Sequence, residues 1–134
     1  MTTVSVARLS KDMQSHAQEL AGKAGLEAQA RDRPPDGNDL LFYLSGTTMP
    51  MAAFLKDHGL FMDGEGLHFD LAQFSAIREV AAAVISEREA GNQDGTWQRF
   101  DLSEDEDIDT NGGYILTALA VLELLYDQKG QPSG

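Results

Sequence analysis

The stretch from Asn111 to Asp127, "NGGYILTALAVLELLYD", is apolar on nearly every side once it is wound as a helix. A helix without a polar face has to be surrounded by protein. The chain is therefore read as a fold built around this segment, which lies either at the centre of its own core or in the seam of a homodimer. The apolar run proper, Tyr114 to Tyr126, covers 13 residues and is interrupted by Thr117 and Glu123. A bilayer needs roughly 20 such residues, so no membrane span is expected.

Immediately before this segment the character of the chain inverts. Residues 101–109, "DLSEDEDID", hold six carboxylates in nine positions and run into Asn111-Gly112-Gly113. Asp107, Asp109, Asn111 and Gly112 match positions 1, 3, 5 and 6 of a helix–loop–helix calcium loop. Position 8 is Tyr114, however, and position 12, where a bidentate Glu belongs, is Ala118. A calcium loop is not expected. Negative charge is favoured at a helix N-terminus, and Asp109, Thr110 and Asn111 are all good capping residues. Six acids exceed what capping uses. The reading divides them: Asp109 to Asn111 cap the helix, and Asp101 to Asp107 are available to a partner.

Working outward, "FDLAQFSAIREVAAAVISEREAG" (69–91) is the best-specified element. Asp70 is read as its N-cap with Gln73 reciprocal, and Phe69 and Phe74 have the spacing of a hydrophobic staple. Phe74, Ile77, Ala81, Val84 and Ile85 form its buried face, and Gly91 ends it. "LFMDGEGLHFD" (60–70) predicts a β-hairpin around Asp63-Gly64-Glu65-Gly66. "TTMPMAAFLKDHG" (47–59) predicts a short helix with Thr48 as cap, Pro50 in the first turn and Gly59 at its end. "NDLLFYLSG" (38–46) reads equally as helix or strand. Residues 5–30 predict one amphipathic helix on the stripe Val6, Leu9, Met13, Ala17, Leu20 and Ala24, weakened by Gly22 and Gly25. "TWQRFDL" (96–102) is read as a third strand beside the hairpin. "RDRPPDGND", "AGNQDGT" and "SEDEDIDTNGG" are breaks. The expected fold class is α+β, mainly α. It has four to five helices with a small antiparallel hairpin or three-stranded sheet, in one domain over residues 1–130 with a frayed tail at 131–134.

The 134 residues carry a net charge of −12 and no cysteine. The acidity is concentrated late: residues 100–134 hold eight acids against one lysine, whereas residues 1–33 hold four acids against five basic residues. Such a chain repels nucleic acid and anionic membranes. Without cysteine there are no disulfides, thiolate nucleophiles or Cys-based zinc sites. No secretory leader is read in "MTTVSVARLSKDM", and the expected compartment is the cytoplasm. No Gly-x-Ser-x-Gly elbow, Walker loop or dinucleotide fingerprint occurs. His16 and His58 read as structural, His58 beside a helix C-terminus. A metal site from His58, His68 and Asp70 matches no tight ligand spacing. No metal, cofactor or catalytic residue is expected.

These properties fit a non-enzymatic acidic protein that binds and inhibits or regulates a basic, nucleic-acid-handling protein. Immunity proteins, anti-activators and phage- or plasmid-borne inhibitors work in this way. Asp101, Glu104, Asp105, Glu106, Asp107 and Asp109 would steer the encounter, and Trp97, Phe100, Tyr114, Phe61 and Phe42 are candidate anchors. Trp97, the single tryptophan, reads equally as a core residue. The alternatives are a homodimeric chaperone or adaptor for a secreted effector and, third, a small metal-dependent enzyme.

Overall fold

The computed structural model describes residues 2–24, 37–90, 95–103 and 105–127. The chain forms β1 (Thr2–Val4), α1 (Val6–Ser15), α2 (Ala17–Ala24), α3 (Gly37–Ser45), α4 (Met49–Asp57), β2 (Phe61–Asp63) and β3 (Gly66–Phe69). A 3-10 turn (Leu71–Gln73) then leads into α5 (Phe74–Ala90), followed by α6 (Thr96–Arg99). The last helix, α7, runs without a break through Asp105–Ile108, a π-helical turn Asp109–Tyr114, Ile115–Leu122 and a second π-helical turn Glu123–Asp127. The class is α+β, mainly α, with a three-stranded antiparallel sheet.

Helix α7 is the axis of the fold. Ile115, Ala118, Leu119 and Leu122 are fully enclosed, and α2, α3 and α5 pack around it. Residues 106–126 are long and apolar enough, by length and composition alone, to cross a membrane, but most of their apolar window is buried inside the fold. The helix starts at Asp105, six residues earlier than its sequence suggests. The Asp107 carboxylate accepts from the Ser103 N–H (3.1 Å) and satisfies a donor at its entrance. Gly112 and Gly113 look like a break but lie inside the helix. At Gly112 the backbone of α7 meets α5 so closely that an added Cβ would sit 2.7 Å from Ile85 Cγ1 and 3.2 Å from the Ala81 carbonyl oxygen.

The sheet order is β1-β3-β2. Thr3 pairs with His68 on one side of β3, and Phe61 pairs with His68 on the other. Leu67 and Phe69 alternate with His68 and face the core, where the Phe69 ring meets Phe74 (6.1 Å between centroids) and Tyr126 (5.3 Å). The Phe69–Phe74 staple is thus formed, and Asp70 caps the turn below it by accepting from Ala72 N–H (3.1 Å). Thr48 caps α4 as read, and Gly59 takes φ 80° just past its end. Residues 38–45 resolve to helix.

Three local expectations are corrected. The third strand is β1, not residues 96–102; Trp97 and Phe100 are three apart, which is helical spacing, and they turn inward from α6. The amphipathic N-terminal segment is two helices, because the chain breaks at His16 (φ −115°, ψ 23°). Its buried stripe of Leu9, Met13 and Leu20 survives the break. Residues 105–109 of the acidic stretch are the opening of α7, not a loop, and a helical backbone cannot wrap a calcium ion. The breaks proposed at 31–36 and 91–94, the distal helix at 25–30, Gly91 and the tail lie outside the described residues.

The close crossing at Gly112 gives a paired prediction. Gly112→Ala should destabilise the protein by about 2 kcal/mol, because overpacking against α5 outweighs the gain in helix propensity. Gly113→Ala, where an added Cβ meets nothing within 4 Å, should stabilise it by about 1 kcal/mol. Urea midpoints of the two variants check both signs.

Candidate functional site

Three backbone ends converge beside the entrance of α7. Asn111, in the first π-helical turn, is fully buried. Its Nδ2 donates to the Asp107 carbonyl (2.6 Å), and its Oδ1 accepts from the Thr48 N–H (3.0 Å). The Thr48 hydroxyl in turn donates to the Phe100 carbonyl (2.6 Å) and accepts from Met51 N–H (3.4 Å). One amide and one hydroxyl thereby tie the start of α4, the end of α6 and the first π-helical turn of α7 together. The residues next along the chain from the Thr48–Phe100 bond are Met49 and Asp101, both exposed.

Asp101 has φ 56°, the left-handed region that L-residues enter at a cost. It occupies the position after α6 where a glycine usually closes a helix. Leu102 N–H reaches back to the Trp97 carbonyl (2.8 Å), and Asp101 N–H reaches Gln98 (3.3 Å). Among the described residues its carboxylate has no partner. The chain thus holds an exposed carboxylate where backbone geometry favours a residue without a side chain. Met49, next to Thr48, is 87% exposed.

The other acids divide differently from the reading of the sequence. Asp109 forms an ion pair with Arg88 of α5 (2.8 Å), so its charge is balanced. Asp107 serves the helix entrance through Ser103, and Asn111 is a buried bridge, not a cap. Glu106 is exposed and without a partner among the described residues. Glu104 lies outside the described residues, and Asp105 is described only as the start of α7. Among the described residues, the exposed acids of this stretch without a partner are Asp101 and Glu106.

The aromatic candidates also separate. Phe42 is 72% exposed on α3. Phe100 is only 2% exposed and packs edge-to-face on Phe54 (5.5 Å), so it belongs to the core and not to the surface. Trp97 is half-buried and donates its indole N–H to the Val84 carbonyl (3.0 Å). Tyr114 is half-buried in the first π-helical turn, and Phe61 stacks on His68 (4.6 Å, 13°). Comparison with protein-family models, with curated proteins and with solved structures finds no match to this chain. Its function has to be argued from these groups alone.

Sequence reasoning missed Met49 and Met62, both exposed. Met62 edges an apolar cleft of about 290 Å³ between α3, α4 and β2, floored by Leu44, Leu55, Leu60 and Leu67. A second hollow of about 300 Å³ lies where α4, α5 and α6 meet. His58, Glu79 and Arg99 stand around Phe54 and Val80 there, and the Arg99 guanidinium is stacked 4.7 Å from the Phe100 ring. His58 Nδ1 is committed to the Phe54 carbonyl (2.9 Å), and His68 pairs instead with Asp63 (2.7 Å). The grouping of His58, His68 and Asp70 therefore does not form. The His68 hydrogen bond, with help from the Glu65 N–H, holds the Asp63 carboxyl below its ordinary range. At the far end of α7, the Tyr126 hydroxyl donates to Asp12 (3.1 Å); burial and that carboxylate push its pKa well above the usual phenol value.

Asn111→Ala should cost about 2 kcal/mol, since it strands the Thr48 N–H and the Asp107 carbonyl together. Asp101→Gly should act in the opposite sense and raise stability by about 0.5 kcal/mol through relief of the left-handed backbone. Chemical denaturation of the two variants tests whether the junction bears the one cost and tolerates the other.

Proposed function

We propose that this chain is a non-enzymatic cytoplasmic protein that binds a basic, folded protein partner and thereby inhibits or regulates it. The observation that carries the reading is the exposed Asp101 carboxylate, unpartnered among the described residues, at a left-handed backbone position. It follows Phe100, whose carbonyl is bonded by the Thr48 hydroxyl, and Thr48 is followed in turn by the 87% exposed Met49. Strain of this kind is retained where a side chain is used. Charge on the rim of an interface accelerates encounter, and flexible apolar anchors such as Met49 and Phe42 slow dissociation. A net charge of −12 favours basic partners and disfavours nucleic acid as a direct ligand. The alternative of a homodimer sealed through the last helix loses its motive, because the apolar surface of α7 is covered within a single chain.

The experiment is capture of a partner from the native host, followed by stopped-flow kinetics with the purified pair. Association should slow about tenfold between low and high salt. Asp101→Asn with Glu106→Gln should lower the association rate, and Met49→Ala should raise the dissociation rate. Association that ignores both salt and charge neutralisation would sink the mechanism.

A further inference from the structure

The hairpin brings together three donors that the partner-binding face does not use. Asp63 precedes its two-residue turn, Glu65 lies within it, and His68 lies further along β3. In the ladder Asp63 stands opposite Gly66 and Phe61 stands opposite His68. Gly66 presents no side chain, so Asp63 reaches diagonally across it to His68. Nothing larger fits there: a Cβ on Gly66 would lie 2.2 Å from the Val4 carbonyl oxygen. Asp63 Oδ1 and His68 Nε2 are 2.7 Å apart, and a donor atom from each of Asp63, Glu65 and His68 falls within 4.8 Å of the others.

The imidazole is held before any ligand arrives. Thr3 of β1 is its cross-strand neighbour, with Oγ1 2.9 Å from Nδ1. Phe61 fixes the ring plane from the other strand by stacking at 4.6 Å and 13°. His68 is only 8% exposed, whereas both carboxylates face solvent. Both ring nitrogens are thus engaged, Nε2 with the Asp63 carboxylate and Nδ1 with the Thr3 hydroxyl, and a metal taking Nε2 would displace its hydrogen bond to Asp63 while Thr3 keeps the ring in place. A second group on Nδ1 that orients the ring and sets its tautomer is the usual support of a metal-bound histidine.

We propose that Asp63, Glu65 and His68 bind a divalent zinc ion, with water completing the shell. One imidazole and two carboxylates form a donor set for zinc, which accepts three protein ligands and an open position. Calcium and magnesium favour six or more oxygen donors and fit less well. Zinc bonds of about 2.1 Å in a tetrahedron set donors about 3.4 Å apart. The His68–Asp63 pair opens slightly to reach that spacing, and Glu65, exposed at the tip, closes in. Binding joins the turn to β1 through Thr3 and leaves Asp101 and Met49 untouched, so this inference stands apart from the partner reading.

The test is calorimetric titration of zinc chloride into the full chain without a histidine tag, alongside nitrogen-resolved NMR of the three imidazoles. One zinc should bind per chain, and the Nε2 resonance of His68 should move while those of His16 and His58 stay. Glu65→Gln keeps the turn, whose bond to Asp63 Oδ1 comes from the Glu65 backbone N–H (2.8 Å). It should weaken zinc by tenfold or more with an unchanged circular dichroism spectrum. Thr3→Val should weaken it by about tenfold through the lost orienting bond. Absence of binding heat, equal affinity in Glu65→Gln, or a shift at His16 or His58 in place of His68 would each overturn the proposal.

Discussion

The contact on which the structure depends is the crossing of α7 over α5 at Gly112. A helix with almost no polar face is stable only if neighbours cover every side. The glycine lets the two backbones approach more closely than any side chain would allow, with Ala81 and Ile85 opposite. Arg78 pairs with Glu123 one end along from this crossing, and Arg88 pairs with Asp109 at the other. These exposed pairs contribute little individually, but they flank the crossing in register. Once α5 and α7 are locked, α2 and α3 cover the remaining apolar surface of α7, and the sheet closes its end through Phe69 and Tyr126.

The wide turn that carries Gly112 also explains why the acidic stretch is ordered. A π-helical turn enlarges the helix and frees backbone groups for other partners. Asn111 uses that room: buried inside the turn, it takes the Asp107 carbonyl on one side and the start of α4 on the other. The polar bridge is fully satisfied, so it adds specificity without the penalty of a stranded amide. Because the bridge also reaches α6 through Thr48, the positions of Asp101 and Met49 follow from the core and not from a loose loop.

What was legible in the sequence was local. The Phe69–Phe74 staple, Thr48 with Pro50, and the Asp63-Gly64-Glu65-Gly66 turn each carry their instructions within a few residues and form as read, while Asp70 caps a 3-10 turn ahead of α5 instead of α5 itself. The β1 strand was illegible because its partner lies some 65 residues away, and three residues of "TTV" have no periodicity to detect. The start of α7 was misread because glycine propensity says break, while a tertiary close approach makes the glycine necessary. The candidate site shows the same limit. The acids were visible as a run, but Arg88's hold on Asp109 and the Ser103 bond to Asp107 are products of folding. Met49 gave no signal because one methionine at a helix start looks the same whether it is covered or bare.

The division of the carboxylates therefore follows from geometry rather than from count. Where an acid has a structural task it is placed against a donor: Asp107 at a backbone N–H, Asp109 at a guanidinium, Asp12 at a phenol, Asp63 at an imidazole. Asp101 breaks this pattern twice. It has no donor among the described residues, and its backbone pays a conformational penalty that glycine would avoid. Asp enters the left-handed region more readily than most side chains, which lowers the penalty without removing it. A residue that neither relieves strain nor satisfies a neighbour contributes nothing to the fold that glycine would not contribute better. Its carboxylate is left exposed, as is Met49, the residue after the Thr48 whose hydroxyl bonds the Phe100 carbonyl just before Asp101.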